Sequence, residues 1–388
     1  MRLNQTPIAL SFHPSNLSGR RKKIKLRSSN MSMEIAKEKA ENQTWRDLPL
    51  ELLISVMTNL EIDDNVRASA VCKPWYEAAV SVRITDQPPW LMYFPKSRNS
   101  FEFYNPSNSK RHTKELPKSL AGSKVRYSKD GWLLMCKSIS TDFVLFNPFT
   151  MDLVVLPDLE LWHGYQLVGF SCAPTSSDCV VLIIKDYDPG HVTIRTWSPG
   201  ETTWTSMHVS SQFLDAKRNY VVFSNGLFYC LNLRNSLAVF DPSLRTWNVL
   251  DIPPPVCPVH IDDESWYEGK FMVGYKGDVS LVCTFGNAEP LVFKLDLTLR
   301  VWVKKENIGS LTIFGSINSC ESRTYVHEGM LRNSIYFPKL CDNENRCVTY
   351  SFDEGRYHPR REHNVNWGKQ RSSENIWIEP PENALELI

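Results

Sequence analysis

The spacing of apolar positions changes once along this chain, between Val82 and Pro89. Before the change, Leu53, Val56, Met57 and Leu60 recur at i, i+3, i+4 and i+7, which marks one face of a helix. Leu52 and Ile54 widen the apolar arc beyond a single stripe. Pro49 suits the first turn, where a missing N–H is not felt. Asp63 and Asp64 are placed to cap a second short helix running to Ala70. Pro74 opens a third, with Trp75, Ala78, Ala79 and Val82 on one face. Three helices in roughly 40 residues are marginal as a free-standing domain. Such a piece cannot bury both sides of its first helix. It is either a cap on the larger domain downstream or a surface for a partner, and exposed apolar patches mark the latter.

After the change, helical periodicity disappears. Short runs rich in Val, Leu, Phe, Tyr and Trp alternate with turn residues, for example 125–127, 132–136, 143–146, 179–184, 192–197, 227–231, 237–240, 279–284, 291–295, 334–337 and 348–352. This is an all-β signature.

The runs repeat. One unit reads Asn225-Gly226-Leu227-Phe228-Tyr229-Cys230, then Val239-Phe240-Asp241-Pro242, then Trp247. An earlier copy has Asp130-Gly131-Trp132-Leu133 and then Phe146-Asn147-Pro148. Aligning Pro106, Pro148, Pro199, Pro242, Leu297 and Glu354 gives successive gaps between 42 and 57 residues. That period belongs to propeller blades rather than helical solenoids. Six anchors predict six blades. Trp204, Trp247 and Trp302 each follow an anchor by five residues and are expected between blades. The run Asn375-Ile376-Trp377-Ile378 supplies a closing strand beside the first blade, which removes exposed sheet edges. A pair of β-sandwiches is the rival all-β reading, although it requires no repeat.

The whole chain has 388 residues and a formal charge of +1, so no global field draws it to nucleic acid or membrane. No apolar run approaches the ~18 residues that span a bilayer. The ten cysteines are scattered, with no secretory h-region ahead of them, so reduced thiols are expected. Cys341 and Cys347 are placed in a polar loop. Residues 1–44 read as a basic tail and a charged linker. The run 20–27 contains six Lys or Arg residues and fits nuclear import, organelle transit or a bare disordered tail. Nucleus, cytoplasm or both is the expected location.

The helical stretch, about 45–85, resembles an F-box. The resemblance is carried by Leu48-Pro49, the apolar helix from Leu52 to Leu60, and Val71-Cys72-Lys73-Pro74-Trp75. It implies that Leu48, Pro49, Leu52, Leu53, Val56, Met57, Leu60, Val71, Cys72 and Trp75 pack against the adaptor Skp1, and through it join a cullin–RING core. The stretch 89–388 resembles a kelch-type propeller, closest to the plant F-box proteins with a divergent propeller. The Gly-Gly doublet of true kelch repeats is missing; Gly131, Gly226 and Gly277 stand singly in its place. The implied architecture is a small all-α F-box of three helices followed by a six-bladed all-β propeller. The implied function is substrate recognition in a ubiquitin ligase, with an unidentified protein target on the propeller.

Catalytic signals are missing from the motifs. The nine histidines show no metal-ligand spacing, and no P-loop, dinucleotide fingerprint or Gly-x-Ser-x-Gly occurs. No cofactor, metal or catalytic residue is expected. The acidic run 262–264 reads as a solvated loop. Loops 156–166, 253–269 and 339–346 carry Trp162, His163, Tyr165, Trp266 and Tyr267, residue types that anchor partners. A scaffold outside any ligase and a propeller hydrolase are the competing functions.

Overall fold

The computed structural model describes residues 48–58, 60, 62–82, 87–95, 99–137, 142–159, 166–188, 190–211, 213, 220–232, 234–256, 270–284, 288–316, 320–323, 330, 332–341, 346–358, 375–381 and 384. The basic run 20–27, the linker 33–43, the acidic run 262–264 and the loop aromatics Trp162, His163, Tyr165, Trp266 and Tyr267 lie outside them. The chain divides into two compact units, Met1–Arg83 and Ile84–Ile388.

The first unit holds α1 (Leu50–Thr58), α2 (Ile62–Ser69) and α3 (Lys73–Val82). The Pro49 carbonyl accepts from the N–H groups of Leu52 and Leu53 at 3.0 and 3.1 Å, so Pro49 stands just before the helix instead of inside its first turn. The Cys72 carbonyl starts α3 in the same way, accepting from Tyr76 at 2.9 Å. Pro74 then falls in the first turn, where its absent N–H costs nothing. Asp63 and Asp64 lie within α2 rather than capping it.

The second unit is built from short antiparallel strands. β1 (Trp90–Tyr93), β2 (Ser100–Asn105) and β3 (Lys110–Glu115) come first. β4 (Ser123–Lys129), β5 (Trp132–Lys137), β6 (Phe143–Phe146) and β7 (Leu153–Val155) form a sheet in chain order. So do β8 (Gln166–Phe170), β9 (Val181–Asp188), β10 (His191–Trp197) and β11 (Thr205–Ser210). The next two blades are β12 (Tyr220–Ser224), β13 (Leu227–Leu231), β14 (Leu237–Asp241), β15 (Thr246–Leu250), and β16 (Lys270–Tyr275), β17 (Asp278–Cys283), β18 (Leu291–Asp296), β19 (Val301–Lys305). The sixth contains β20 (Thr312–Gly315), β21 (Cys320–Arg323), β22 (Ser334–Cys341), β23 (Arg346–Ser351) and β24 (Arg356–His358). Finally β25 (Ile376–Ile378) returns to pair with β1, Trp377 opposite Leu91, and completes the first blade as its innermost strand. The result is a six-bladed propeller closed by its C-terminal strand.

Local chemistry explains the blade repeat. The first hairpins of three blades turn on Asp130-Gly131, Asn225-Gly226 and Lys276-Gly277, with both residues at positive φ in each. That is the two-residue turn whose twist matches the strands it joins. Gly131 has a second constraint, since a Cβ there would sit 3.0 Å from the Glu379 carbonyl, next to the closing strand. The outer hairpins turn on the Asx anchors read from the sequence. Asn105, Asn147, Asp241 and Asp296 each accept from the backbone N–H two residues on, at 2.8 to 2.9 Å. A left-handed residue follows in each case: Ser109, Met151, Arg245 and Arg300.

The sixth anchor is corrected by the structure. Ser351 rather than Asp353 starts that turn, its Oγ accepting from Glu354 N at 3.3 Å, and left-handed Gly355 follows four residues later as in the others. Asp353 instead accepts from Asn333 Nδ2 at 2.7 Å. The repeat position therefore moves from Glu354 to Phe352. Five residues on from it stands Tyr357, at the offset of Trp204, Trp247 and Trp302.

These four rings lie between blades, as their period predicts. Trp204 packs with residues of β5, β6, β8 and β9 and donates from Nε1 to the Pro157 carbonyl at 2.7 Å. Trp247 stands edge-on to Phe213 at 5.3 Å and donates to Ser211 Oγ. Trp302 joins the cluster between the fourth and fifth blades. Tyr357 joins that between the fifth and sixth, its hydroxyl donating to Ala288 O at 2.9 Å. Because Trp247 is half-buried, Trp247→Ala should cost about 2–3 kcal/mol, near the low end for large aromatic truncations. Chemical denaturation of the full chain measures it; an unchanged midpoint contradicts the wedge role.

The sixth blade departs from the four-strand plan. β20 runs parallel to β22, Ile313 opposite Ile335, and β21 adds as a fifth strand. Cys347 is also relocated: it lies buried on β23, not in a polar loop. Cys72, Cys136, Cys172, Cys179, Cys230, Cys283 and Cys347 are free, and burial pushes the thiol of Cys179 up to about 12.

Candidate functional site

The helical unit carries the site, and its apolar arc is divided between two jobs. Leu53 and Met57 of α1 meet Ala78 and Ala79 of α3 in the unit's own core. The two alanines leave room for α1 to lie close. Leu48, Leu60 and Trp75 pack around that core, part-buried, together with Ile54, Ala68 and Val82. The other half of the arc faces outward. Pro49, Leu52 and Val56, at i, i+3 and i+7, form one exposed ridge, with Leu52 55% and Val56 43% exposed.

A second outward apolar group surrounds the start of α3. Val71 is 52% exposed, and Cys72 beside it is half-buried. Tyr76 and Val80 follow, both exposed and one turn apart. The ten residues picked out in the sequence thus fall into three sets. Leu53 and Met57 are interior and offer no surface. Leu48, Leu60, Cys72 and Trp75 are intermediate. Pro49, Leu52, Val56 and Val71 are open to a partner.

Sequence reasoning missed Tyr76 and Val80 on the open side. Their i, i+4 spacing was the available signal, overshadowed by the stronger stripe of Trp75, Ala78, Ala79 and Val82. It also missed Asn65. This buried α2 side chain donates from Nδ2 to the carbonyls of Met57 and Ala79, at 3.5 and 3.4 Å, and so ties all three helices together. Asn65→Leu keeps the branched shape of the side chain and removes the donor. It should loosen the unit by about 1–3 kcal/mol. Hydrogen exchange of the α1 and α3 amides in the full chain reads this, and unaltered protection contradicts it. The ion pairs Asp64–Arg67 (2.9 Å) and Lys73–Glu77 (3.7 Å) are solvent-exposed and add little.

Among the described residues, no three His, Cys, Asp or Glu side chains gather as metal ligands, and no helix is long and apolar enough to cross a membrane. What the arrangement offers chemically is an exposed apolar ridge with polar neighbours.

Residues 45–84 match an F-box-like family model, and residues 103–362 match the model of the KIB1-4 beta-propeller. The chain belongs to the plant F-box proteins with a KIB1-4 propeller. An F-box/kelch-repeat protein of Arabidopsis thaliana is 69% identical over 356 residues, covering 92% of this chain and 100% of the relative. Two further Arabidopsis F-box proteins are 39% and 38% identical, covering 90% and 93% of this chain and 92% and 93% of their own lengths. In this F-box protein the ridge of Pro49, Leu52 and Val56 lies within the F-box match, and the propeller match contains all six outer-hairpin anchors, leaving out only β1, the start of β2 and the closing strand β25. The family supports an adaptor-type substrate receptor.

Proposed function

We propose that this F-box protein is the substrate-recognition subunit of a Skp1–cullin–F-box ubiquitin ligase. The observation that carries the reading is the divided arc of α1, with Leu53 and Met57 turned inward while Pro49, Leu52 and Val56 stay outside. That ridge lies outside the unit's own core, and the exposure of such an apolar patch is unfavourable unless a partner covers it. Skp1 covers it in this reading, resting on Leu48, Pro49, Leu52, Val56, Leu60, Val71, Cys72 and Trp75, with Leu53 and Met57 holding the helix in place.

The chemistry belongs to the cullin–RING core and its conjugating enzyme. The propeller holds a protein target so that a target lysine stays near the loaded ubiquitin, which raises its effective concentration. No side chain of this chain need catalyse the transfer. Reconstitution tests this. The full chain, Skp1, the cullin–RING core, and activating and conjugating enzymes should together place ubiquitin on the chain's own lysines, in a reaction that stops when Skp1 is omitted. Transfer that is indifferent to Skp1 would remove the reading.

A further inference from the structure

A cavity of about 500 Å³ lies between the fifth and sixth blades, lined by all four strands of the fifth and by β20 of the sixth. Its volume lies in the range of sites that seat small ligands or anchoring side chains. Val273, Val292 and Ile313 form an apolar floor, with Ile308 and Leu311 added by the turn that leads from β19 into β20. That turn is held in shape. Ile308 N donates to Asn333 Oδ1 at 2.9 Å, and Asn333 Nδ2 donates in turn to Asp353 Oδ1 at 2.7 Å. Asn333 is itself buried. The cavity is therefore preformed, which reduces the ordering cost of binding.

Charge around the cavity is uneven. Lys294 is paired with Asp278 at 2.7 Å, and Lys304 with Glu306 at 3.3 Å. Both carboxylates that line the cavity are thereby used. Lys305 is the remaining cation, and it has no ion-pair or hydrogen-bond partner among the described residues. In the sheet register Lys305 lies opposite Val292, so its side chain leaves the same face as that floor residue. An apolar floor with one uncommitted ammonium beside it is complementary to an apolar group that carries a carboxylate.

We infer that this cavity anchors a short internal segment of a target protein, in which a bulky apolar side chain is followed by an Asp or Glu. The apolar side chain fills the space over Val273, Val292 and Ile308, and the carboxylate meets Lys305. The inference deepens the receptor reading, and the cavity's role as a target site rests on that reading.

The test uses the full chain and acetylated, amidated hexapeptides as probes, with Gly-Ser-Leu-Glu-Ser-Gly as the parent, followed by titration calorimetry. The Leu-Glu peptide should bind roughly tenfold or more tightly than Leu-Gln and Ser-Glu versions, the scale of a charge-assisted contact. Lys305→Glu should abolish that preference and transfer it to a Leu-Lys peptide. Lys305 is exposed, so this variant keeps its fold. No binding of the Leu-Glu peptide, or equal binding by Lys305→Glu, overturns the inference. So does tighter binding of a peptide ending in Leu with a free carboxyl, which would make the ligand a chain terminus. Skp1 capture by the wild-type chain separates the two proposals. Capture without a Leu-Glu preference defeats only the cavity, whereas peptide binding by a chain that never takes up Skp1 defeats only the ligase reading.

Discussion

Replacing Leu52 and Val56 together by Lys should weaken Skp1 binding by at least about a hundredfold, on the order of 3 kcal/mol, while the chain stays folded. Both side chains stand on the exposed ridge of α1. A lysine there meets water in the free chain, and surface changes of this kind shift stability by only about 0.5 kcal/mol. In the complex the same ammonium groups would be forced against an apolar partner, where an unpaired charge is costly. The comparison variant is Leu53→Ala, at a fully buried position. That change should cost about 2–5 kcal/mol of helical-unit stability, and binding would fall only because the unit loosens. Calorimetry for affinity and hydrogen exchange for folding, applied to both variants, separate surface from core. Equal loss of protection in the two would mean that the ridge is structural.

The second large effect is expected at the ring closure. Trp377 is fully buried at the centre of β25, opposite Leu91 and edge-on to Phe314 at 5.1 Å. It comes from the end of the sequence, yet it fills the seam between the first and sixth blades with Leu91, Tyr104, Phe314 and Tyr336. Its backbone carbonyl also accepts from Ser128 Oγ on β4 at 3.3 Å, which links the closing strand to the second blade. Trp377→Ala should cost about 3–5 kcal/mol. Against a domain stability of about 5–15 kcal/mol, that is a large share. Denaturant unfolding followed by near-ultraviolet dichroism should show a single transition at a much lower midpoint. A midpoint within error of the parent would mean that β25 is an appendage and not the clasp of the ring.

Much of this was legible because the repeat uses residues with fixed local physics. An Asp or Asn before a turn accepts from the backbone N–H two residues on, and Asn105, Asn147, Asp241 and Asp296 all do so in the structure. The wedge tryptophans followed from their distance to those anchors. The sixth anchor failed because the hydroxyl of Ser351 takes the carboxylate's place, and Asp353 close by supplied a false match. With that anchor misplaced, Tyr357 could not be recognised as the fourth wedge. β20 was missed because it is only four residues long and its hairpin partner β21, Cys320–Arg323, is mostly polar. The outer strand β3 was missed because its sequence, Lys110-Arg111-His112-Thr113-Lys114-Glu115, is polar at almost every position, as suits an edge.

The helical site was legible to a different depth. Periodicity located α1, and its wide apolar arc foretold a second surface. Which half of the arc faces the core depends on where α3 lies, and a single helix pattern does not encode that. Hence Leu53 and Val56, equal members of one stripe in the sequence, prove to be a core residue and a surface residue. The buried Asn65 had no sequence signal at all, because a polar residue on a short helix ordinarily faces water.

The most direct test of the ligase account is sedimentation velocity of the purified full-length chain mixed with purified Skp1. The account predicts a one-to-one complex that disappears when Leu52 and Val56 are both Lys. Two independent species at micromolar concentration, with the wild-type chain folded, would contradict it.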